Sequence, residues 1–255
     1  MLVGQRRNRI IELLKENHSI SVSDLCEILE ASEATIRRDL SILENSGKLE
    51  RTHGGAIYNE SNRINIEDVL SSREGKFLFE KQAIAKKAFD LLENHDTIVL
   101  DAGTTTYELA YLIGQSNLQL TIVTNSMIVF KELAKNPNVE LIILGGKVRT
   151  NTLASVGSAA VELMQRLFVD KAFLGTNGIS LNEGFTTTDM DEAGIKRAMI
   201  QSSKQRIILA DNSKFNKVYI NQFAPVSMVD IIVTDNQTNK ELLNEFIERY
   251  DIKVI

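Results

Sequence analysis

The sequence predicts an α/β protein in two unequal parts, and three observations carry that prediction. Apolar residues recur at helical spacing through the first 46 positions, giving three short helices. Two short alternating runs then flank Gly54-Gly55, a pair suited to a tight hairpin. From Phe77 onward, short apolar runs alternate with helical patterns, as in a mostly parallel sheet covered on both faces. A chain of 255 residues, 43% hydrophobic and 25% charged, has material for a small domain and a medium one, each with its own core.

The first helix lies within Gln5 to Asn17, where Ile10, Leu13 and Leu14 share a face and Arg6, Arg7 and Arg9 cluster near the start. Asn17-His18-Ser19 breaks it. The second begins at Ser21, and Ser21-Val22-Ser23-Asp24 fits a capping box. Val22, Leu25, Cys26 and Leu29 form its apolar stripe, so Cys26 reads as a small core residue rather than a reactive thiol. Ser32 caps the third helix, which runs to Ser46 before Gly47 stops it. Ile36, Leu40 and Leu43 face inward. At about 100° per residue, Arg38 points almost opposite, with Arg37 and Thr35 on its flanks.

Three helices and a Gly-Gly wing in this order read as a winged helix-turn-helix over residues 1–58, with the helix-turn-helix at about 20–39. The N-terminal half of such a third helix meets base edges in the major groove, where an arginine fork donates to two guanine acceptors. The wing carries Lys48, Arg51 and His53 toward phosphates or the minor groove. The candidate contacts to double-stranded DNA are Arg6, Arg9, Ser32, Thr35, Arg37, Arg38, Lys48, Arg51 and His53. The competing reading is a solvated helix face on which Arg37 and Arg38 pair with Glu33 or Asp39. Net charge does not decide the matter, because the chain carries −5 overall. That balance excludes a generally sticky basic binder and puts the weight on geometry.

Residues 59–76 are polar, with mixed charges and no clean periodicity, and read as a linker or a bridging helix. In 77–255, Thr97–Leu100, Leu120–Val123, Leu141–Leu144, Lys171–Leu174, Ile207–Ala210 and Ile231–Thr234 read as buried strands of a Rossmann-like domain. Ligands of such sheets sit beyond the carboxyl ends of the strands. Hydroxyls, glycines and cations gather at those ends: Asp101 with Gly103, Thr104, Thr105 and Thr106, then Thr124 with Asn125. Gly146 with Arg149, Asn177 in a Gly-rich turn, and Asp211 with Lys214 follow. Thr104 to Thr106 open a helix, a ready anion site, and Asp101, Asn125 and Asp211 suit sugar hydroxyls. Their recurrence after successive strands points to a phosphorylated small molecule.

Other chemistries find little support. No G-x-G-x-x-G follows a strand, and Gly146-Lys147 precedes Val148, so there is no Walker loop. His18, His53 and His95 show no metal-ligand spacing with Cys26. One cysteine, no secretory signal and no apolar run approaching about 20 residues predict a cytoplasmic protein without membrane contact. No metal and no cofactor are expected.

The N-terminal part resembles the DeoR family of bacterial regulators. The likeness is carried by the opening arginines, Val22-Ser23-Asp24-Leu25, the run Ser32 to Leu40, Leu43-Glu44, Gly47 and His53-Gly54-Gly55-Ala56. Asp101 to Thr105, Thr124-Asn125, Gly145-Gly146 with Arg149, Gly157, Gly184, Glu192 and Asp211 to Phe215 look like the family's sensor domain. The resemblance implies a sensor fold similar to ribose-5-phosphate isomerases and CoA transferases. It further implies an operator-binding regulator, usually a repressor of a sugar uptake or catabolic operon, with a sugar phosphate effector. A dimer or tetramer is expected, because paired half-sites need paired recognition helices. The alternative is a phosphosugar isomerase or transferase with a DNA-binding appendage. There Asp101, Glu192 or Asp211 would be the base and Lys214 or Arg149 would hold the phosphate.

Overall fold

The computed structural model describes residues 3–17, 19–45, 49–52, 54–57 and 76–255. The chain divides into two units, Met1–Ile66 and Glu67–Ile255. The division falls inside the stretch 59–76, of which only Lys76 is among the described residues.

In the first unit, α1 (Val3–Asn17), α2 (Val22–Leu29) and α3 (Glu33–Asn45) enclose a core of Ile10, Leu14, Leu25, Ile36 and Leu40. These are the residues whose helical spacing predicted three amphipathic helices. Ser21 caps α2 by accepting from the Asp24 amide at 3.1 Å, and its hydroxyl donates to the Asp24 carboxylate at 2.7 Å. Cys26 is partly buried against the same core. The end of α3 proposed at Ser46 and Gly47 lies outside the described residues. The wing comprises β2 (Glu50–Arg51) and β3 (Gly55–Ile57), and β3 also pairs with β1 (Ser19–Ser21), so the sheet order is β1-β3-β2. The sequence marks Ser19 only as the end of a helix, whereas the structure makes it the start of a third strand. Gly55 is required there: a Cβ would lie 2.1 Å from the Ile20 carbonyl oxygen.

The second unit is built on seven parallel strands: β4 (Thr97–Leu100), β5 (Leu120–Thr124), β6 (Val139–Ile143), β9 (Val169–Gly175), β12 (Ser203–Leu209), β14 (Ile231–Val233) and β15 (Lys253–Val254). Their order is β15-β14-β12-β9-β4-β5-β6. Helices α4 (Leu78–Phe89), α5 (Thr104–Gly114) and α6 (Met127–Leu133) cover one face. The other is covered by α7 (Ser158–Gln165), α8 (Met190–Gln201) and α9 (Lys240–Tyr250). Alternate residues of one strand serve opposite cores. Ile98 and Leu100 pack under α4–α6, while Val99 packs on the α7–α9 side. A strand buried on both faces therefore reads as a continuous apolar run.

Two antiparallel additions were not evident in the sequence. One is the hairpin of β7 (Lys147–Arg149) and β8 (Ala154–Val156). The other is the sheet of β10 (Gly178–Ser180), β11 (Gly184–Thr187) and β13 (Asn221–Ala224). From β4 the chain winds out through β5 to β6, then returns to the other side of β4 at β9 and continues outward. The order therefore reverses between β4 and β9, which is where doubly wound sheets open a ligand crevice.

Candidate functional site

The first unit presents α3. Arg38 is exposed and makes no hydrogen bond or ion pair with a described residue, so its guanidinium is available to a partner. Arg37 is exposed but pairs with Glu33 one turn back, Nη2 to Oε1 at 2.7 Å. An exposed pair of this kind is worth about 0.3–0.5 kcal/mol, so a phosphate can displace it. The Ser32 and Thr35 hydroxyls bond to each other at 2.8 Å, and Ser32 caps the Thr35 amide at 3.4 Å. Both lie at the helix entrance, with Ser32 exposed. Arg51 donates to Ser41 Oγ at 2.5 Å and lies 3.7 Å from Glu44, which ties the wing to α3. Arg9 pairs with Glu12 on the exposed side of α1. Lys48 and His53 lie outside the described residues.

Arg6 has a different task from the one its sequence position suggested. Its Nε donates to one oxygen of Asp39 at 2.7 Å, and Arg7 Nε donates to the other at 2.7 Å. Asp39 is almost wholly buried beside Leu40. Arg6 is thus a clamp between α1 and α3 rather than a free cation. Asp39, weighed in the sequence only as a neighbour for Arg37 or Arg38, is the anchor that sets the recognition helix.

In the second unit the parallel sheet brings the ends of β4, β5, β6, β9 and β12 to one edge. Its centre is Asp101, buried at the β4–β9 switch. Oδ1 accepts from the Gly103 amide at 3.1 Å and the Thr106 hydroxyl at 2.8 Å. Oδ2 accepts from the Gly175 amide at 2.9 Å and from Lys196 Nζ. Lys196, buried on α8, also donates to the Gly175 carbonyl at 2.9 Å and lies 5.5 Å from the Phe223 ring centre. This lysine was missed by the sequence reading. Thr106 is committed to this network, since its oxygen also accepts from the Gly103 amide at 2.9 Å. Gly103 is the N-cap of α5, which leaves Thr104 and Thr105 in the first turn, where amides lack intrahelical partners.

The remaining candidates take their places along the same edge. Thr124 is buried and accepts from the Ser126 amide, and Asn125 Nδ2 donates to the Ser155 carbonyl at 2.9 Å. Gly146, with φ of 149°, lets β8 approach; a Cβ there would lie 2.7 Å from the Val156 carbonyl oxygen. Arg149 does not stand open to the crevice. It pairs with Glu192 at 2.5 Å and with Asp189 at 3.4 Å, which fastens the hairpin to the start of α8. Asn177 accepts from the Thr187 hydroxyl at 2.9 Å. Asp211 is fully buried, bonds the Ser213 amide at 3.0 Å, and lies 3.9 Å from Lys214 Nζ. Among the described residues, no group of His, Cys, Asp and Glu is arranged to hold a metal, and no helix is long and apolar enough to cross a membrane.

A winged helix-turn-helix with an open recognition arginine, joined in one chain to a doubly wound domain with a polar switch point, defines a DNA-binding transcriptional regulator. Residues 6–62 match the model of the DeoR-like helix-turn-helix domain, and residues 77–236 match the DeoR C-terminal sensor domain. The chain belongs to the DeoR family. It is 36% identical over 255 residues to the HTH-type transcriptional regulator FruR of Bacillus subtilis, covering 100% of this chain and 99% of that one. It is 34% identical over 243 residues to the lactose phosphotransferase system repressor of Lactococcus lactis, covering 95% and 94%. Ribose 5-phosphate isomerase A of Methanocaldococcus jannaschii superposes with a TM-score of 0.41 and 18% identity, over 55% of each chain.

Proposed function

We propose that this regulator represses a carbohydrate uptake or catabolic operon and that a phosphorylated sugar, bound at the carboxyl edge of the parallel sheet, controls it. The observation that carries the reading is the network on Asp101, which holds the β4 and β9 loops and α8 around the switch point. The Thr104 and Thr105 amides at the head of α5, with Lys214 following β12 on the same edge of the sheet, supply donors a phosphate needs. The repressor assignment is supported by the name of the Lactococcus relative, which matches this chain almost end to end. The relatives are named as regulators, so the isomerase or transferase alternative is set aside.

Effector and operator are coupled by linkage: a ligand that binds better when the two DNA-binding heads are badly spaced must weaken operator affinity, and the reverse. A homodimer or tetramer working in the cytoplasm supplies the paired heads. The test is operator binding by full-length protein across a panel of sugar phosphates and salt concentrations. One member of the panel should shift affinity by about 5–150-fold, and binding should fall steeply with salt as counterions are released. A panel without effect on affinity, or sustained turnover of any member, would overturn the proposal.

A further inference from the structure

Asn125, Thr152 and Ser155 are only 2%, 1% and 0% exposed. Yet among the described residues Asn125 Oδ1, Thr152 Oγ1 and Ser155 Oγ have no hydrogen-bond partner, and neither has the buried Thr188 Oγ1. These atoms belong to segments fastened to one another. The Ser155 amide donates to the Asn125 carbonyl at 2.7 Å, and Asn125 Nδ2 donates back to the Ser155 carbonyl. Thr152 lies in the turn of the same β7–β8 hairpin. Thr188 precedes Asp189, which pairs with Arg149 of that hairpin. Buried polar atoms are nearly always partnered, so this concentration of unpartnered ones calls for a ligand.

We infer that the corner formed by the end of β5, the β7–β8 hairpin and the lead into α8 receives the uncharged, hydroxyl-bearing end of the effector. The inference rests on the reading of the second unit as a sugar phosphate sensor, and it gives the ligand a direction. Because Asn125 Nδ2 is committed, Oδ1 is an obligate acceptor that needs a donor. The three threonine and serine hydroxyls both give and accept. A sugar hydroxyl answers all four; a phosphate oxygen offers Oδ1 nothing. Arg149, on the same hairpin, is held by Asp189 and Glu192, so the corner is poorly suited to an anion. The phosphate then lies toward the head of α5, and hydroxyl configuration is read here.

The experiment compares full-length wild type with Thr152→Val and Ser155→Ala, both of which remove a hydroxyl at nearly constant shape. Binding of fructose 1-phosphate, glycerol 3-phosphate, fructose and inorganic phosphate is measured, together with ligand-free melting. Affinity for fructose 1-phosphate should fall roughly tenfold, about one hydrogen bond, with a smaller loss for glycerol 3-phosphate, which has fewer hydroxyls. Ligand-free Tm should rise by about 2–4 °C, because an unpartnered buried hydroxyl has been removed. Unchanged affinities, or an equal loss for every probe including phosphate, would overturn the inference. If fructose binds and no phosphate ester does, the phosphorylated effector is wrong and the corner stands. If no probe binds, melting decides: a rise supports the inference, and no rise assigns the hydroxyls to ordered water and overturns it.

Discussion

The ammonium of Lys196, carried on α8, is hydrogen-bonded to the carboxylate of Asp101 at the end of β4, and both groups are buried. Two charges withdrawn from water hold each other only while both are present. Lys196→Met should therefore destabilise the second unit by about 3–5 kcal/mol, measured by chemical denaturation. Adding Asp101→Asn should recover only part of that loss, because it removes the stranded charge but sets an amide N–H against the Gly175 N–H. It should not restore an effector response. A single variant as stable as wild type would show that the pair contributes nothing to the fold.

Asp39 and Arg38 are neighbours in sequence with separate tasks, and substitution should separate them. Arg38→Ala should leave melting unchanged, lower operator affinity by about 1–3 kcal/mol and relax base preference. Asp39→Ala strands Arg6 and Arg7 and loosens α1 from α3, so melting of the head and operator affinity should fall together. Equal melting of the two variants would remove the clamp.

Gly55 is fixed by contact. With a Cβ placed 2.1 Å from the Ile20 carbonyl, Gly55→Ala should break the β1–β3 pairing and cost the head more than about 3 kcal/mol. Effector binding by the second unit should survive. Circular dichroism melts with a parallel ligand titration check both halves of this expectation.

Burial raises the Glu108 carboxyl above its ordinary 4.5, opposed in part by the Gln82 hydrogen bond and the charge of Lys81. The folded state holds this proton more tightly than the unfolded state does. Glu108 thus costs nothing below the ordinary value, and stability is lost as pH rises through the raised one. Glu108→Gln should flatten that slope and raise Tm at neutral pH. Parallel pH–Tm profiles for the two proteins would refute it.

What the sequence disclosed followed burial. The central strands were legible because both faces are covered, and α3 because Ile36, Leu40 and Leu43 repeat at helical spacing. The β7–β8 hairpin and the β10-β11-β13 sheet were not: their strands are three or four residues long, too short for a period to register. At the site, Asp101 and the threonines were visible as a loop motif beyond a strand. Lys196 was hidden by the habit of placing lysine in solvent. Its signal was its company, since it stands among Ala193, Ile195, Ala198, Met199 and Ile200, and a cation within such a run of core residues must have a partner. Arg6 misled for the complementary reason: its partner, Asp39, lies 33 residues away.

The separation between Asp101 and Lys196 has a consequence for the protein as it is made. The core of the first unit is drawn from residues between Ile10 and Ala56, so it can close early in translation. The sensor network cannot, because Lys196 is synthesised 95 residues after the aspartate it neutralises. At about 5–20 residues per second, that interval lasts roughly 5–20 s. For that time each nascent chain carries a finished reader of DNA and an unfinished sensor. A transcript truncated between the two would yield a DNA-binding head without a complete sensor.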